Sequence, residues 1–296
     1  MKRRELLGVA AAGAAAALLP QTDAPAQPKP RAGRLRQAVA RWCFASLPIE
    51  RLCEELIKLG VTGMDLVDPE EWPVCKRYGI TPSIVHGGGG FRPAAAGSNR
   101  AFGPSFGWND PANHEELLQS MRSSIARASA AGLATIIGLF GDRAGRSDAT
   151  GIGNCVQGLR RIVPDLERAG ITLAIELLNS KVDHPDYQGD HTAFGVAVCQ
   201  AVGSERVKLV YDAYHMQIME GNLISTIREH RQYIAHIHVA GVPGRHEIDE
   251  TQEVNWRAVA LAIADLGFTG FVAHEWTPTA KDPLAALRRA VELMTV

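Results

Sequence analysis

Short runs of β-branched and apolar residues alternate with longer amphipathic stretches from residue 37 to the end of the chain. We count eight of each, and several of the longer stretches end at a glycine, the residue that favours the left-handed conformation after a helix. Eight strand–helix units close into a barrel more readily than they spread into a sheet. The sequence therefore predicts an α/β fold, a (β/α)8 TIM barrel over residues 36–296, with an open doubly wound sheet as the alternative. The predicted strands are 37–45, 63–67, 83–86, 135–140, 172–178, 207–214, 236–240 and 270–276.

The first 26 residues have the features of an export signal. A basic start over residues 1–4, with paired arginines, precedes an uncharged run over 6–19 and a small-x-small sequence at 24–26. The arginine pair resembles a twin-arginine signal. We expect a signal peptide over 1–26, a linker over 27–35, and export, to the periplasm. A membrane anchor is the alternative, although the apolar run is shorter than the roughly 20 residues that span a bilayer.

The charge balance argues against polyanionic partners. The chain has 31 basic and 32 acidic residues and a formal net charge of −1, which creates no long-range field for nucleic acid or anionic membranes. We therefore expect a small-molecule substrate, no nucleic acid, and no stable membrane association once the signal is removed. Assembly into a homo-oligomer stays open.

The last four predicted strands each carry a metal-binding side chain near the C-terminal end: Glu176, Asp212, His238 and Glu275. The C-terminal ends of barrel strands meet at one rim, so these side chains converge. Charged residues in buried strands have to be paired, metal-bound or placed at the mouth. The basic residue in these strands, Lys208, lies at the opposite end of its strand from Asp212. The sequence therefore predicts one shared divalent cation.

The ligand types indicate which metal and which chemistry the site supports. Three carboxylates and one imidazole favour Mn²⁺, Mg²⁺ or Co²⁺. Such a cation polarises a carbonyl and stabilises the enediolate left when the neighbouring carbon loses a proton. Side chains alternate between the two faces of a strand. Glu176 and Glu275 are therefore expected to face inward, and His274 to face the helices. His236 shares the inward face of His238 one layer below, as a core residue or as a partner of the ligands. We expect Glu176 and Glu275 to be the catalytic acid–base pair.

Four other residues near the predicted strand ends are candidates for substrate binding: His215, Arg245, Glu247 and His86. His215 follows Asp212 by three residues and has a ring nitrogen available to a substrate oxygen. Arg245 can hold a carboxylate through two parallel N–H groups. The alternative for each of them is a solvated loop residue or a local ion pair.

A long segment over residues 87–113 follows the third predicted strand. It begins with four glycines and contains Phe102, Phe106 and Trp108. No GK[ST] sequence follows the glycines, so the segment is not a P-loop. It is either a flexible loop or a lid whose aromatic residues close over the substrate.

The chain resembles the xylose isomerase-like barrels of sugar isomerases and epimerases, and within them the hydroxypyruvate isomerases. The resemblance extends from about residue 37 onward and is densest over 176–278. The motifs that carry it are Ile-Glu-Leu-Leu-Asn at 175–179, Tyr-Asp-Ala-Tyr-His-Met-Gln at 211–217, Met-Glu-Gly at 219–221, Gly-Arg-His-Glu at 244–247, Glu-Val-Asn at 253–255 and His-Glu-Trp at 274–276.

The resemblance implies a metal held by Glu176, Asp212, His238 and Glu275, with the two glutamates exchanging protons through a cis-enediol. Hydroxypyruvate isomerases have Gln at the position of His238, whereas ketose epimerases have His. The segment 87–113 also departs from the hydroxypyruvate isomerase pattern. These two departures leave the substrate open.

Together these observations predict an exported, metal-dependent isomerase or epimerase of a small hydroxy-carbonyl compound, either hydroxypyruvate-like or a free ketose. A keto-polyol dehydratase of the inosose type is the first alternative, because dehydration begins with the same proton abstraction. An abasic-site endonuclease needs a basic groove for phosphates, which the charge balance does not suggest. A non-catalytic sugar-binding protein is the remaining alternative.

Overall fold

A computed structural model describes residues 33–87 and 103–296. The predicted signal peptide, most of the predicted linker and residues 88–102 of the long segment lie outside the described residues. Nine parallel strands are present in the described part, and their bounds are β1 Arg36–Ala40, β2 Gly63–Asp65, β3 Thr81–Pro82, β4 Val85–His86, β5 Thr135–Leu139, β6 Thr172–Glu176, β7 Val207–Asp212, β8 Ile234–Val239 and β9 Phe271–His274.

The strands form one barrel. Their order is β3-β2-β1-β9-β8-β7-β6-β5-β4, and every pair is parallel. The first and last strands in this order, β3 and β4, are successive pieces of one chain segment, so the sheet closes on itself. The backbone N–H of Leu66 also donates to the carbonyl of Ile84 at 2.8 Å, between the two pieces. The predicted (β/α)8 barrel is confirmed, with its third strand broken in two.

Helices surround the barrel, and those in the described residues are α1 Ile49–Leu59, α2 Trp72–Arg77, α3 His114–Ala130, α4 Asp148–Ala169, α5 Thr192–Val202, α6 Ala213–Met219, α7 Leu223–His230, α8 Trp256–Asp265 and α9 Pro283–Met294. None of the described helices has both the length and the apolar character to cross a bilayer.

The core has two layers. A large apolar cluster fills the space between the strands and the surrounding helices. A second cluster joins different parts of the barrel: Ile137, Ala174 and Val210 belong to β5, β6 and β7, Leu66 directly follows β2, and Ile84 lies between β3 and β4. Because side chains pack the barrel interior, a ligand site has to lie at a mouth, and in enzymes of this fold it lies at the C-terminal mouth.

Several predicted segments differ in the structure. The first predicted strand runs to residue 45, but β1 ends at Ala40. A 3-10 helix over Arg41–Phe44 follows, in which the Arg41 guanidinium donates to the Phe44 carbonyl at 2.9 Å. The last predicted strand runs to 276, but β9 ends at His274. Trp108, proposed as part of a lid, is fully buried in the core, and its backbone N–H donates to the carbonyl of Leu139 at 3.2 Å.

Two exposed glycines of α4 provide a matched test of helix termination. Gly170 ends α4 with φ of 69°, whereas Gly153 lies inside the helix, and a Cβ atom would meet nothing within 4 Å at either position. We expect Gly170→Ala to lower the free energy of unfolding by about 1 kcal/mol, because alanine is strained in the left-handed region. We expect Gly153→Ala to raise it by about 0.5–1 kcal/mol. Urea denaturation measures both, and equal signs for the two variants would contradict this account.

Candidate metal centre

Four ligand-type side chains meet at the C-terminal mouth of the barrel. Glu176 and Asp212 are the last residues of β6 and β7, His238 is the penultimate residue of β8, and Glu275 directly follows β9. Asp212 stands opposite His238 in the β7–β8 register. All four are buried. Neighbouring parallel strands therefore deliver the four predicted ligands to one place.

The geometry of the four side chains fits a single cation. Nδ1 of His238 lies 2.9 Å from Oε1 of Glu176, 3.0 Å from Oε2 of Glu275 and 3.9 Å from Oδ2 of Asp212. One ligand atom from each of the four lies within 4.8 Å of the other three. This spacing is close enough for all four atoms to share one ion.

The electrostatics of the group also favour a bound cation. Burial raises the pKa of Asp212 to about 7, with Arg245 and His238 opposing the shift and the other two carboxylates adding to it. Burial raises the pKa of Glu176 as well, assisted by the charge of Glu275. Oδ2 of Asp212 is buried and has no hydrogen-bond partner in the described part of the chain. A divalent cation would bind this oxygen and offset the crowded negative charge.

Glu275 is held on both of its oxygens. Nη2 of Arg245 donates to Oε2 at 2.8 Å, and the indole Nε1 of Trp42 donates to Oε1 at 2.9 Å. Burial acts to raise the pKa of Glu275, but the charges of His238 and Arg245, together with these hydrogen bonds, lower it well below its usual range. Glu275 is therefore a carboxylate with a fixed orientation.

His215, predicted to bind substrate, is fully buried beside Asp212. Its Nδ1 accepts the backbone N–H of Asn179 at 3.1 Å, so the ring proton lies on Nε2, which is 3.6 Å from Oδ2 of Asp212. Burial and the charge of Arg245 lower the pKa of His215 well below its usual value. His215 is thus a neutral ring that presents an N–H group to the ligand cluster.

A cavity of about 800 Å³ opens above the cluster, a size typical of small-molecule sites. Glu176, Glu275 and the predicted substrate-binding residues Arg245 and His86 line it. Several further lining residues were not predicted from the sequence, among them Arg41, Trp42 and His184. Arg41 and Trp42 lie where a strand was expected, and His184 lies in a loop without a recognisable motif, so no sequence signal marked them.

Glu247, predicted to bind substrate, is not among the residues that line the cavity, and its carboxylate binds a neighbouring loop. Its Oε1 accepts the backbone N–H groups of Thr279 and Ala280 at 2.7 and 2.8 Å, and its Oε2 accepts the Thr279 hydroxyl at 2.8 Å. Both oxygens are therefore occupied by the loop after β9. Glu247 fixes that loop, which follows Glu275 in the chain.

His274 and His236 lie on opposite faces, in keeping with strand alternation. Nε2 of His274 lies 2.9 Å from Oε1 of Gln37, whose amide donates to the Val291 carbonyl in α9 at 3.2 Å, so His274 faces the helices. His236 lies inside the barrel, with Nε2 2.6 Å from Oδ2 of Asp65. Asp65 was not predicted as part of the site.

The sequence of this barrel matches a known family. The sequence model of the family described as xylose isomerase-like TIM barrel matches residues 72–295, which include all four ligand-type residues. The chain belongs to the xylose isomerase-like TIM barrel family. Membership agrees with the resemblance drawn from the motifs around Glu176, Asp212 and Glu275.

Curated relatives of this family member are named as isomerases. A 2-oxo-tetronate isomerase of Cupriavidus necator is 36% identical over 111 residues, which cover 38% of this chain and 42% of the relative. The hydroxypyruvate isomerase of Escherichia coli is 31% identical over 169 residues, which cover 57% of this chain and 65% of the relative. The match thus spans less than two thirds of either relative.

Solved structures share the fold of this family member. An AP endonuclease, family 2, of Brucella melitensis superposes with a TM-score of 0.71 at 21% identity, covering 86% of this chain and 97% of that chain. The IOLI protein, solved with a bound zinc atom, superposes with a TM-score of 0.67 at 14% identity, covering 88% of this chain and 97% of that chain. At these identities the likeness shows the fold alone.

We expect the affinity of the site for Mn²⁺ to rise with pH. The charge of Glu275 and hydrogen bonds to carboxylates raise the pKa of His238 although burial opposes them, and the pKa of Asp212 is about 7. Both groups hold protons near neutrality in the metal-free protein, and these protons compete with the cation. Below the pKa of each group, affinity should fall by up to about tenfold per pH unit for each proton displaced.

Isothermal titration in buffers of different ionisation enthalpy counts the protons released on Mn²⁺ binding. Asp212→Asn serves as the comparison, because it removes one ligand and one titrating group together. Binding without proton release, at an affinity that is constant between about pH 6 and 8, would contradict the electrostatics described above.

Proposed function

We propose that this chain is a metal-dependent isomerase or epimerase of a small hydroxy-carbonyl compound, either hydroxypyruvate-like or a free ketose, acting by proton transfer through a cis-enediolate. The observation that carries the proposal is that two glutamates, Glu176 and Glu275, line the cavity and approach the same nitrogen of His238. The isomerase names of the curated relatives support the reaction class.

The residues of the cluster have two roles, metal binding and proton transfer. Glu176, Asp212, His238 and Glu275 would hold Mn²⁺, Mg²⁺ or Co²⁺, which would supply polarisation of the substrate carbonyl and stabilisation of negative charge on its oxygen. Glu176 and Glu275 belong to strand ends separated by β7 and β8, so a substrate above the cluster has a carboxylate on either side. One of them removes the proton next to the carbonyl, and the other returns a proton, to the neighbouring carbon in an isomerisation or to the opposite face of the same carbon in an epimerisation.

The groups around Glu275 orient it for this task. Trp42 and Arg245 each bind one of its oxygens, which restricts rotation of the carboxylate. A fixed carboxylate keeps its oxygen within reach of the same substrate carbon in every turnover. His86 and His184 also line the cavity, and an imidazole is a side chain that can hydrogen-bond a substrate hydroxyl group.

Proton exchange in D₂O with added Mn²⁺ tests the proposal on a panel of hydroxypyruvate, ketoses and inososes. We expect at least one compound to exchange its α-proton, and we expect Glu275→Gln to abolish that exchange because an amide cannot accept the proton. Glu55→Gln is the matched control, because Glu55 is also a buried glutamate but lies in α1, paired with Arg51 and Lys58.

The outcomes of this panel separate the alternatives. Product analysis that finds a dehydrated product in place of an isomer would identify a dehydratase. A compound that binds without exchange would identify a sugar-binding protein. Exchange that survives in Glu275→Gln would show that the acid–base pair is assigned wrongly.

We also propose that residues 1–26 direct export to the periplasm, which favours an unphosphorylated substrate. Replacing both Arg3 and Arg4 by Lys should retain the chain in the cytoplasm, because the twin-arginine route depends on that pair. Fractionation of cells that express each version measures the distribution. A double variant that reaches the periplasm as well as the parent chain would contradict the twin-arginine assignment.

A further inference from the structure

Asp65, at the end of β2, is a buried carboxylate one layer below the ligand cluster. Its Oδ2 lies 2.6 Å from Nε2 of His236 and 3.2 Å from Nε2 of His238, and its Oδ1 accepts the hydroxyl of Ser83. Within the described residues, its ion-pair partners are these two imidazoles. Asp65 thus links His238 to a second strand of the barrel interior.

Asp65, His236 and His238 also lie close enough together to be considered as a metal site of their own. The distances argue against a second ion. Two ligands of one ion at bond lengths near 2 Å lie about 3 Å apart or more, whereas the Asp65–His236 distance of 2.6 Å is that of a direct hydrogen bond. Both oxygens of Asp65 are already hydrogen-bonded. The group is therefore a hydrogen-bonded network.

The orientation of the His238 ring connects this network to the metal centre. Nε2 points to Asp65, and Nδ1 points to Glu176 and Glu275. A neutral imidazole carries one proton, and a ring nitrogen binds a metal only without it. Oδ1 of Asp65 accepts the Ser83 hydroxyl and its Oδ2 faces two ring nitrogens, so the Asp65 carboxylate accepts rather than donates.

We infer that Asp65 is a positioning residue for the metal centre: it accepts the Nε2–H of His238, so that the proton displaced by a bound cation is the one on Nδ1, the nitrogen directed at the cluster. The inference rests on the metal centre of the proposed function. His236 and Ser83 support the role, because they hold the Asp65 carboxylate from β8 and from the segment between β3 and β4. Carboxylates that orient a metal-binding histidine commonly strengthen metal affinity 10- to 100-fold.

The central variant is Asp65→Asn, which keeps the size of the side chain but removes its charge. We expect its Mn²⁺ affinity, measured by electron paramagnetic resonance titration of free Mn²⁺, to fall about 10- to 100-fold. Ser83→Ala is the matched control, because it removes one bond to Asp65 and leaves both imidazole contacts in place. Its loss of affinity should be clearly smaller. Thermal unfolding with chelator present checks that each variant folds.

A second measurement uses the unaltered chain, so that it stands if Asp65→Asn does not fold. ¹⁵N NMR of the imidazoles in the Mg²⁺-loaded protein should show His238 protonated at Nε2, with Nδ1 lacking a proton. The readout specific to Asp65 is the Nε2 proton of His238, which a hydrogen bond to the Asp65 carboxylate should move downfield from its position in a solvated imidazole. His238 protonated at Nδ1 in the loaded protein would overturn the inference.

Failure of the inference about Asp65 can be distinguished from failure of the proposed metal centre. If Asp65→Asn folds and binds Mn²⁺ as tightly as the parent chain, the role of Asp65 is wrong and the proposed function stands. If the parent chain binds neither Mn²⁺ nor Mg²⁺, the metal centre fails, and the role of Asp65 fails with it.

Discussion

Three carboxylates and one imidazole are buried together at one mouth of the barrel, and the arrangement of the surrounding residues follows from that concentration of charge. Burial raises the pKa of Asp212 and of Glu176, and the neighbouring carboxylates add to the effect. Arg245 offsets part of the negative charge from the cavity side. Buried clusters of ionisable side chains with shifted pKa values are typical of functional sites. The proposed cation would give this cluster its function.

The barrel brings this charge together at little conformational cost. Parallel strands β6 to β9 are adjacent in the sheet, and their C-terminal ends present one ligand each. The ligands therefore stand on hydrogen-bonded strands, while the loops that follow supply contacts such as those of Arg245. This separation, with rigid strands for the ligands and loops for the substrate contacts, is a general property of the fold.

The four ligand-type residues were predictable from the sequence because the barrel repeat fixes where strand ends meet. What the repeat does not encode is the course of the chain after each strand. Trp42 lies in a turn where the apolar sequence favours a continued strand, so its bond to Glu275 left no periodic signal. Asp65 ends a strand of three residues and acts through contacts to β8, far away in the sequence. Arg245 and Glu247 are two residues apart, yet one faces the cavity and the other binds the loop after β9.

Asp212 shows how the local structure and the site depend on the same side chain. Its Oδ1 accepts the N–H groups of Tyr214 and His215 at 2.8 and 3.2 Å and so caps α6, while its Oδ2 remains directed at the cluster. The cap fixes the carboxylate and begins the helix that carries His215. His215 in turn is held by Asn179, which follows Glu176 by three residues. The backbone after β6, the start of α6 and the ligand oxygen are thereby joined, so a shift in any one of them moves the others.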